Sequence, residues 1–160
     1  MIVGKVAAAT SRGAWCHREE LEVYTESGIG FVDVTEAVAG VVERSGVRDG
    51  LLAVQSLHTT AAVVVNEGEP LLLEDLRAAL ERAAPRAMAY RHDDFDVRTV
   101  NLAPGEPANG HAHAKALFLR TAETLSVAGG RAHLGRWQRV FLVELDGPRR
   151  RALVLTVLGV

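Results

Sequence analysis

Apolar and polar residues alternate from the start of the chain, in "VGKVAAAT" and again in "EELEVYTE". Alternation at a period of two marks strands with one buried face, so these read as two antiparallel strands joined by a polar turn around residues 11–17. The period changes in "DVTEAVAGVVERSG", where Val38, Val41 and Val42 share a helical face, Asp33 or Thr35 can cap the start, and Gly46 lies just past the end. "DGLLAVQSLHTTAAVVVNEGEP" holds two β-branched runs around "QSLHTT", which fits two buried strands or one long bent strand. A second helix follows from Pro70, with Leu72, Leu73, Leu76, Leu80 and Ala83 at helical spacing before Pro85. Residues 85–110 keep no period, a pattern that in compact domains goes with function or mobility. "HAHAKALFLRTAET" (111–124) is rich in helix formers. The last stretch reads as three strands separated by Gly-Gly and Asp-Gly-Pro turns, with Trp137 and Gln138 entering one of them. Strands and helices interleave without a βαβ rhythm, which predicts an α+β domain with two to three helices and a mixed or antiparallel sheet.

Composition narrows the picture. The 160 residues fit one domain, residues 1–160, with no repeat or linker, and 48% hydrophobic with 24% charged residues is ordinary for a globular fold. A net charge of −2 gives no basic field for nucleic acid, and no apolar run is long enough to span a bilayer or make a signal peptide, so a cytoplasmic protein is expected. The single cysteine, Cys16, has no disulfide partner, and His17 beside it on a strand points to the opposite face. Of the 18 basic residues only Lys5 and Lys115 are lysines. A lysine at 115, beside two histidines, hints at a role that arginine fills badly.

Candidate chemistry gathers on histidine. His58 falls between two apolar runs, His92 sits in the aperiodic segment as "YRHDD", and His113 follows the "NG" step. Three converging imidazoles would bind a divalent metal (zinc, nickel, copper or iron) and leave a position for water. Any lone histidine is more often a hydrogen-bonded structural group. Two residues apart on a helix, His111 and His113 point about 200° apart, so only one faces a site, and His113 is preferred with Lys115. Asn66 and Glu67 end a strand run, where a carboxylate can serve as general base or orient a histidine, or simply belong to a polar turn. Asp93, Asp94 and Asp96 read as solvated charges unless one holds His92. "RRR" at 149–151 reads as a solvated hairpin end, with a phosphate patch as the minority view.

"HTTAAVVVNEG", "YRHDD", "NGHAHAKA" and "LGRWQRVFLVELDGPRRR" occur in the order of the motifs of the YjbQ family, whose members are sometimes labelled secondary thiamine-phosphate synthases, and the chain resembles that family from about residue 20 onward. The resemblance implies an α+β homotrimer with its histidines in a cleft near the subunit contact. It assigns His58, His92 and His113 to a divalent metal or a phosphate-type anion. Glu67 becomes acid/base or orienter, Asn66 its neighbour in the catalytic set, and Lys115 an electrostatic clamp. The implied function is an enzyme acting on a small, phosphorylated metabolite, with thiamine-phosphate synthesis as the concrete version. The alternative is a trimer that binds metal or metabolite without turnover. Three departures bear on this: "RTAET" (120–124) replaces a Gly-Ser-Ser-Val-Thr turn suited to anions, "GRWQ" with Arg136 stands where members show Gly-Thr-Trp-Gln, and the loop from Asp93 to Asn109 is longer than in many members.

Overall fold

The structure, a computed structural model, describes residues 2–11, 14–26 and 28–160, and side chains from Trp15 onward. Among the described residues, nine strands and three helices follow in the order β1 (Ile2–Ser11), β2 (Ala14–Tyr24), β3 (Gly30–Asp33), α1 (Thr35–Ser45), β4 (Gly50–Ser56), β5 (Ala61–Glu67), α2 (Pro70–Ala83), α3 (Gly110–Ala116), β6 (Ala122–Ala128), β7 (Arg131–Ala132), β8 (Gln138–Glu144) and β9 (Arg150–Gly159), with one 3-10 turn at Arg91–Asp93 between α2 and α3. This is the α+β architecture the interleaving predicted. Of the turn expected around residues 11–17, residues 14–17 already belong to β2, and Arg12 and Gly13 lie outside the described residues. Among the described residues no helix is long and apolar enough to cross a membrane.

All strand pairs are antiparallel. Six strands form one sheet in the order β1-β2-β9-β4-β6-β7 and three form a second, β3-β8-β5. Leu21, Val23, Leu52, Val54, Leu153, Leu155 and Val157 point inward from the large sheet and meet α1 and one face of the small sheet, Ala61, Val63, Val140 and Leu142, in the main core. The other face of the small sheet, Ala62, Phe141 and Val143, is covered by α2 and α3 through Leu80 and Ala112. The small sheet is therefore buried on both sides, and this is why "AAVVV" and "VFLVEL" run apolar without alternation while β2 and β9 alternate. It also settles "DGLLAVQSLHTTAAVVV": β4 and β5 are two strands in different sheets, and "LHTT" is the crossing between them.

Local signals hold where they were clearest. Asp33 Oδ1 accepts the Thr35 N–H at 2.9 Å at the start of α1, and Gly46 ends it at φ +71°, a left-handed position that suits glycine. Glu69 caps α2 by accepting from Leu71 and Leu72 N–H, with Pro70 in the first turn. The third helix is shorter than its composition suggests. It stops at Ala116, and the backbone carbonyls of Arg120 and Thr121 turn back to accept Val63 and Ser56 N–H, so that β6 starts at Ala122.

Candidate functional site

The start of α3 is pinned to the 3-10 turn. Asp93 Oδ1 accepts the N–H groups of Asn109 and Gly110 at 2.9 and 2.8 Å, so this aspartate is a helix anchor rather than a solvated charge. A Cβ on Gly110 would lie 2.5 Å from Cβ of Tyr90, so only glycine permits that approach. The approach sets the His92 and His113 rings 4.6 Å apart, between centroids and tilted by 59°. Arg98 holds the long loop over them by donating to the carbonyls of His92 and Asn101 and to Glu106 Oε1 at 2.6 Å.

These groups and His58 wall a cleft of about 740 Å³, with Thr59, Asn109, Asp146, Arg149 and Arg150 among its lining. His58 Nε2 accepts the Ala152 N–H at 2.8 Å, which puts the proton of a neutral ring on Nδ1. Burial lowers the pKa of His58, helped by Arg151, and burial together with His92 lowers that of His113. Both rings are accordingly neutral near pH 7. Two buried polar atoms on the cleft side have no partner, His92 Nε2 and Asn109 Oδ1, although the Asn109 amide donates to Asp146 Oδ2 at 3.0 Å. Glu106 Oε1 stands 3.7 Å from His92 Nε2, beyond hydrogen-bond reach.

All three predicted histidines thus line one cleft, but they do not form the expected three-imidazole metal site. With Nε2 of His58 already holding a backbone N–H and Nδ1 protonated, His58 has no lone pair left for an ion. Among the described residues no three His, Cys, Asp or Glu side chains are placed to hold a metal.

The Asp-Gly-Pro turn between β8 and β9 divides its charges. Glu144, fully buried, accepts the N–H groups of Leu145, Asp146 and Gly147 at 2.8–3.0 Å, the Thr25 hydroxyl at 2.9 Å, and both Nε and Nη2 of Arg151. Burial alone would raise its pKa, yet these donors hold it down to about 2. Arg151, read from sequence as part of a solvated hairpin end, is 3% exposed and also donates to Thr60. Arg149 instead reaches Asp146 Oδ2 through Nε and Nη2 at 3.0 and 2.6 Å, lines the cleft, and makes no hydrogen bond through Nη1. Asn109, Asp146 and Arg149 were missed by sequence reasoning, because each sits in a turn whose polar residues need no further explanation.

Lys115 does not face this cleft. It is fully buried on the opposite side of α3, where Nζ donates to Ala84 O at 2.6 Å and lies 3.0 Å from Glu81 Oε2 and 3.4 Å from His111 Nδ1. The expected pairing of Lys115 with His113 is corrected to Lys115 with His111, four residues apart on one helix face. Asn66 and Glu67 lie at the far end of β5, roughly 20 Å of strand from Ala61 beside the cleft, and Glu67 lines a different hollow with Trp137 and Arg139. They do not join the histidines within this chain. None of the "RTAET" segment lines the cleft.

The sequence model of the family described as "UPF0047 protein YjbQ-like" matches residues 19–160. A UPF0047 protein of Methanothermobacter thermautotrophicus is 36% identical over 143 residues, covering 89% of this chain and 92% of the relative. One of Archaeoglobus fulgidus is 37% identical, covering 87% and 99%. Among solved structures, a YbjQ-like protein of unknown function from Sulfolobus solfataricus superposes with a TM-score of 0.83 at 32% identity, covering 92% of this chain and 99% of that one. A hypothetical protein from Aeropyrum pernix gives 0.79 at 36% identity, covering 89% and 98%.

Proposed function

The chain belongs to the UPF0047 (YjbQ-like) family, and from that premise we propose that its histidine-lined cleft binds a small phosphorylated metabolite and transfers a proton to or from it through His113. The observation that carries this reading is the pair of buried, unpartnered atoms, His92 Nε2 and Asn109 Oδ1, on two residues that line a large cleft. Buried polar atoms without partners are costly, and a ligand that supplies the partners explains their retention. Of the two ligands the sequence leaves open, the anion is the better supported. His58 offers an Nδ1–H, Arg149 an Nη1 without a hydrogen bond and Thr59 a hydroxyl, all donors suited to phosphate oxygens, whereas the His58 lone pair that a three-imidazole metal site would need already holds the Ala152 N–H. Neutral His113, kept so by burial, can take a proton near pH 7.

A homotrimer belongs to the same proposal. Leu117 and Phe118, just past α3, are 84% and 61% exposed, the kind of apolar surface that a second copy covers. Sedimentation of the purified chain tests the assembly.

The functional test is a turnover screen by ³¹P NMR over phosphorylated metabolites, including the pyrimidine diphosphate and thiazole phosphate that a thiamine-phosphate synthase would join. Product formation that disappears in His113→Ala supports the enzyme. Saturable binding without any product leaves the non-catalytic binder, and no phosphorylated compound bound at all removes the reading.

A further inference from the structure

The other face of α3 opens on a second cavity of about 490 Å³, separate from the cleft. His111 and Lys115 line it from α3, and Glu74, Arg77 and Glu81 line it from α2, with Arg86 just beyond that helix. Ile29, Ala78 and Leu145 make its wall partly apolar.

The hydrogen bonds fix what His111 presents. Lys115 has three ammonium protons and three acceptors, Ala84 O, Glu81 Oε2 and His111 Nδ1. Burial and the neighbouring Lys115 keep the His111 ring neutral, so with Nδ1 accepting, its proton sits on Nε2. His111 is 4% exposed, and this Nε2 has no partner. It is a buried donor at the wall of a cavity. Glu81 accepts from Lys115 Nζ on one oxygen and from the Arg86 backbone N–H at 2.6 Å on the other, and it makes no hydrogen bond to His111 Nε2.

Charge selects the ligand. Among the described residues neither the Arg77 nor the Arg86 guanidinium is within ion-pair distance of a carboxylate, and Arg77 instead lies 5.8 Å over the Phe31 ring. Three cations of the lining, Arg77, Arg86 and Lys115, stand against two carboxylates, Glu74 and Glu81, which leaves one positive charge unbalanced. A monoanion neutralises the cavity, and a phosphate dianion overshoots it. Planar guanidinium forks suit a carboxylate, and the apolar wall suits a short hydrocarbon body.

We propose that this cavity is a second binding site, taking a small monocarboxylate with an apolar body, its oxygens received by Arg77, Arg86 and His111 Nε2–H. The site stands independently of the phosphate cleft. The test is calorimetric titration of the intact chain with 3-methylbutanoate, beside Arg77→Met and Arg86→Met, which keep the apolar stems of two side chains that reach solvent. ¹⁵N NMR of the imidazoles accompanies it.

One molecule bound per chain is expected, roughly tenfold weaker in each variant as about one charge-assisted hydrogen bond is lost. His113→Ala and added inorganic phosphate are expected to leave binding unchanged, and the His111 Nε2–H resonance to move on titration. Absence of saturable binding, binding indifferent to both arginine changes, displacement by phosphate, or a His111 ring protonated at Nδ1 would each overturn the proposal.

Discussion

Two regions meet at the turn after β8 and use the same kinds of residue to opposite ends. Glu144 and Arg151 lie among Thr25, Thr60 and three backbone N–H groups, and every charged oxygen and the guanidinium edge find partners. A few residues away the cleft keeps His92 Nε2 and Asn109 Oδ1 buried and unpaired. Saturation marks a group that holds the fold, because nothing remains for a ligand to bind. Its absence in a buried place marks a group held ready for something the chain does not itself provide. The stretch "ELDGPRRR" is split within itself: Glu144 and Arg151 pair with each other as scaffold, while Asp146 with Arg149 lines the cleft beside the unpaired Asn109 Oδ1.

The contrast is broken most forcefully at the knot. Glu144→Gln leaves Arg151 as an uncompensated buried charge and is expected to cost about 3–5 kcal/mol in urea denaturation. Because the folded pKa of Glu144 is depressed, to about 2 from 4.5, its contribution is complete above pH 4.5 and is lost as pH falls toward 2. An acid titration should show that loss in the native chain and not in the variant.

Gly110→Ala comes next. The new methyl meets Tyr90 at 2.5 Å, so a cost of about 1–3 kcal/mol is expected, together with weaker ligand binding as His113 moves off His92. Thermal melting and titration read the two effects separately.

His58→Ala is smaller, about 1 kcal/mol, from the unpaired Ala152 N–H. The folded pKa values of His58, His111 and His113 are all lowered from 6.5, so they favour the fold above that pH and penalise it as pH drops below it. That slope should flatten in His58→Ala.

The smallest effect is expected at the far end of β5. Glu67→Gln and Asn66→Ala should leave phosphate binding by the purified protein unchanged, and a large loss would mean that a second copy brings them to the cleft.

The fold was legible wherever one face of an element is wet. Alternation in β2 and helical spacing in α1 and α2 reported it directly, and Gly46 and Pro70 marked helix ends. The two-sided burial of β5 and β8 was hidden, because a continuous apolar run is the same whether one strand or two layers produce it. At the site, His58, His92 and His113 stood out as histidines in places local structure did not explain. Asn109, Asp146 and Arg149 did not, since turns are polar for their own reasons. Lys115 was readable: the spacing that separates His111 from His113 also separates His113 from Lys115 and pairs it with His111. Glu67 was grouped with the histidines because it is a carboxylate at a strand end and by the family resemblance, and within this chain the straight strand carries it away from them.

The most direct test of the contrast is a pair of readouts on His92→Ala and His113→Ala: urea stability, and inorganic phosphate binding by ³¹P NMR. Stability held within about 1 kcal/mol with phosphate binding lost is the result predicted for groups held unsaturated for a ligand. A loss of several kcal/mol with phosphate still bound would contradict it and return the histidines to the scaffold.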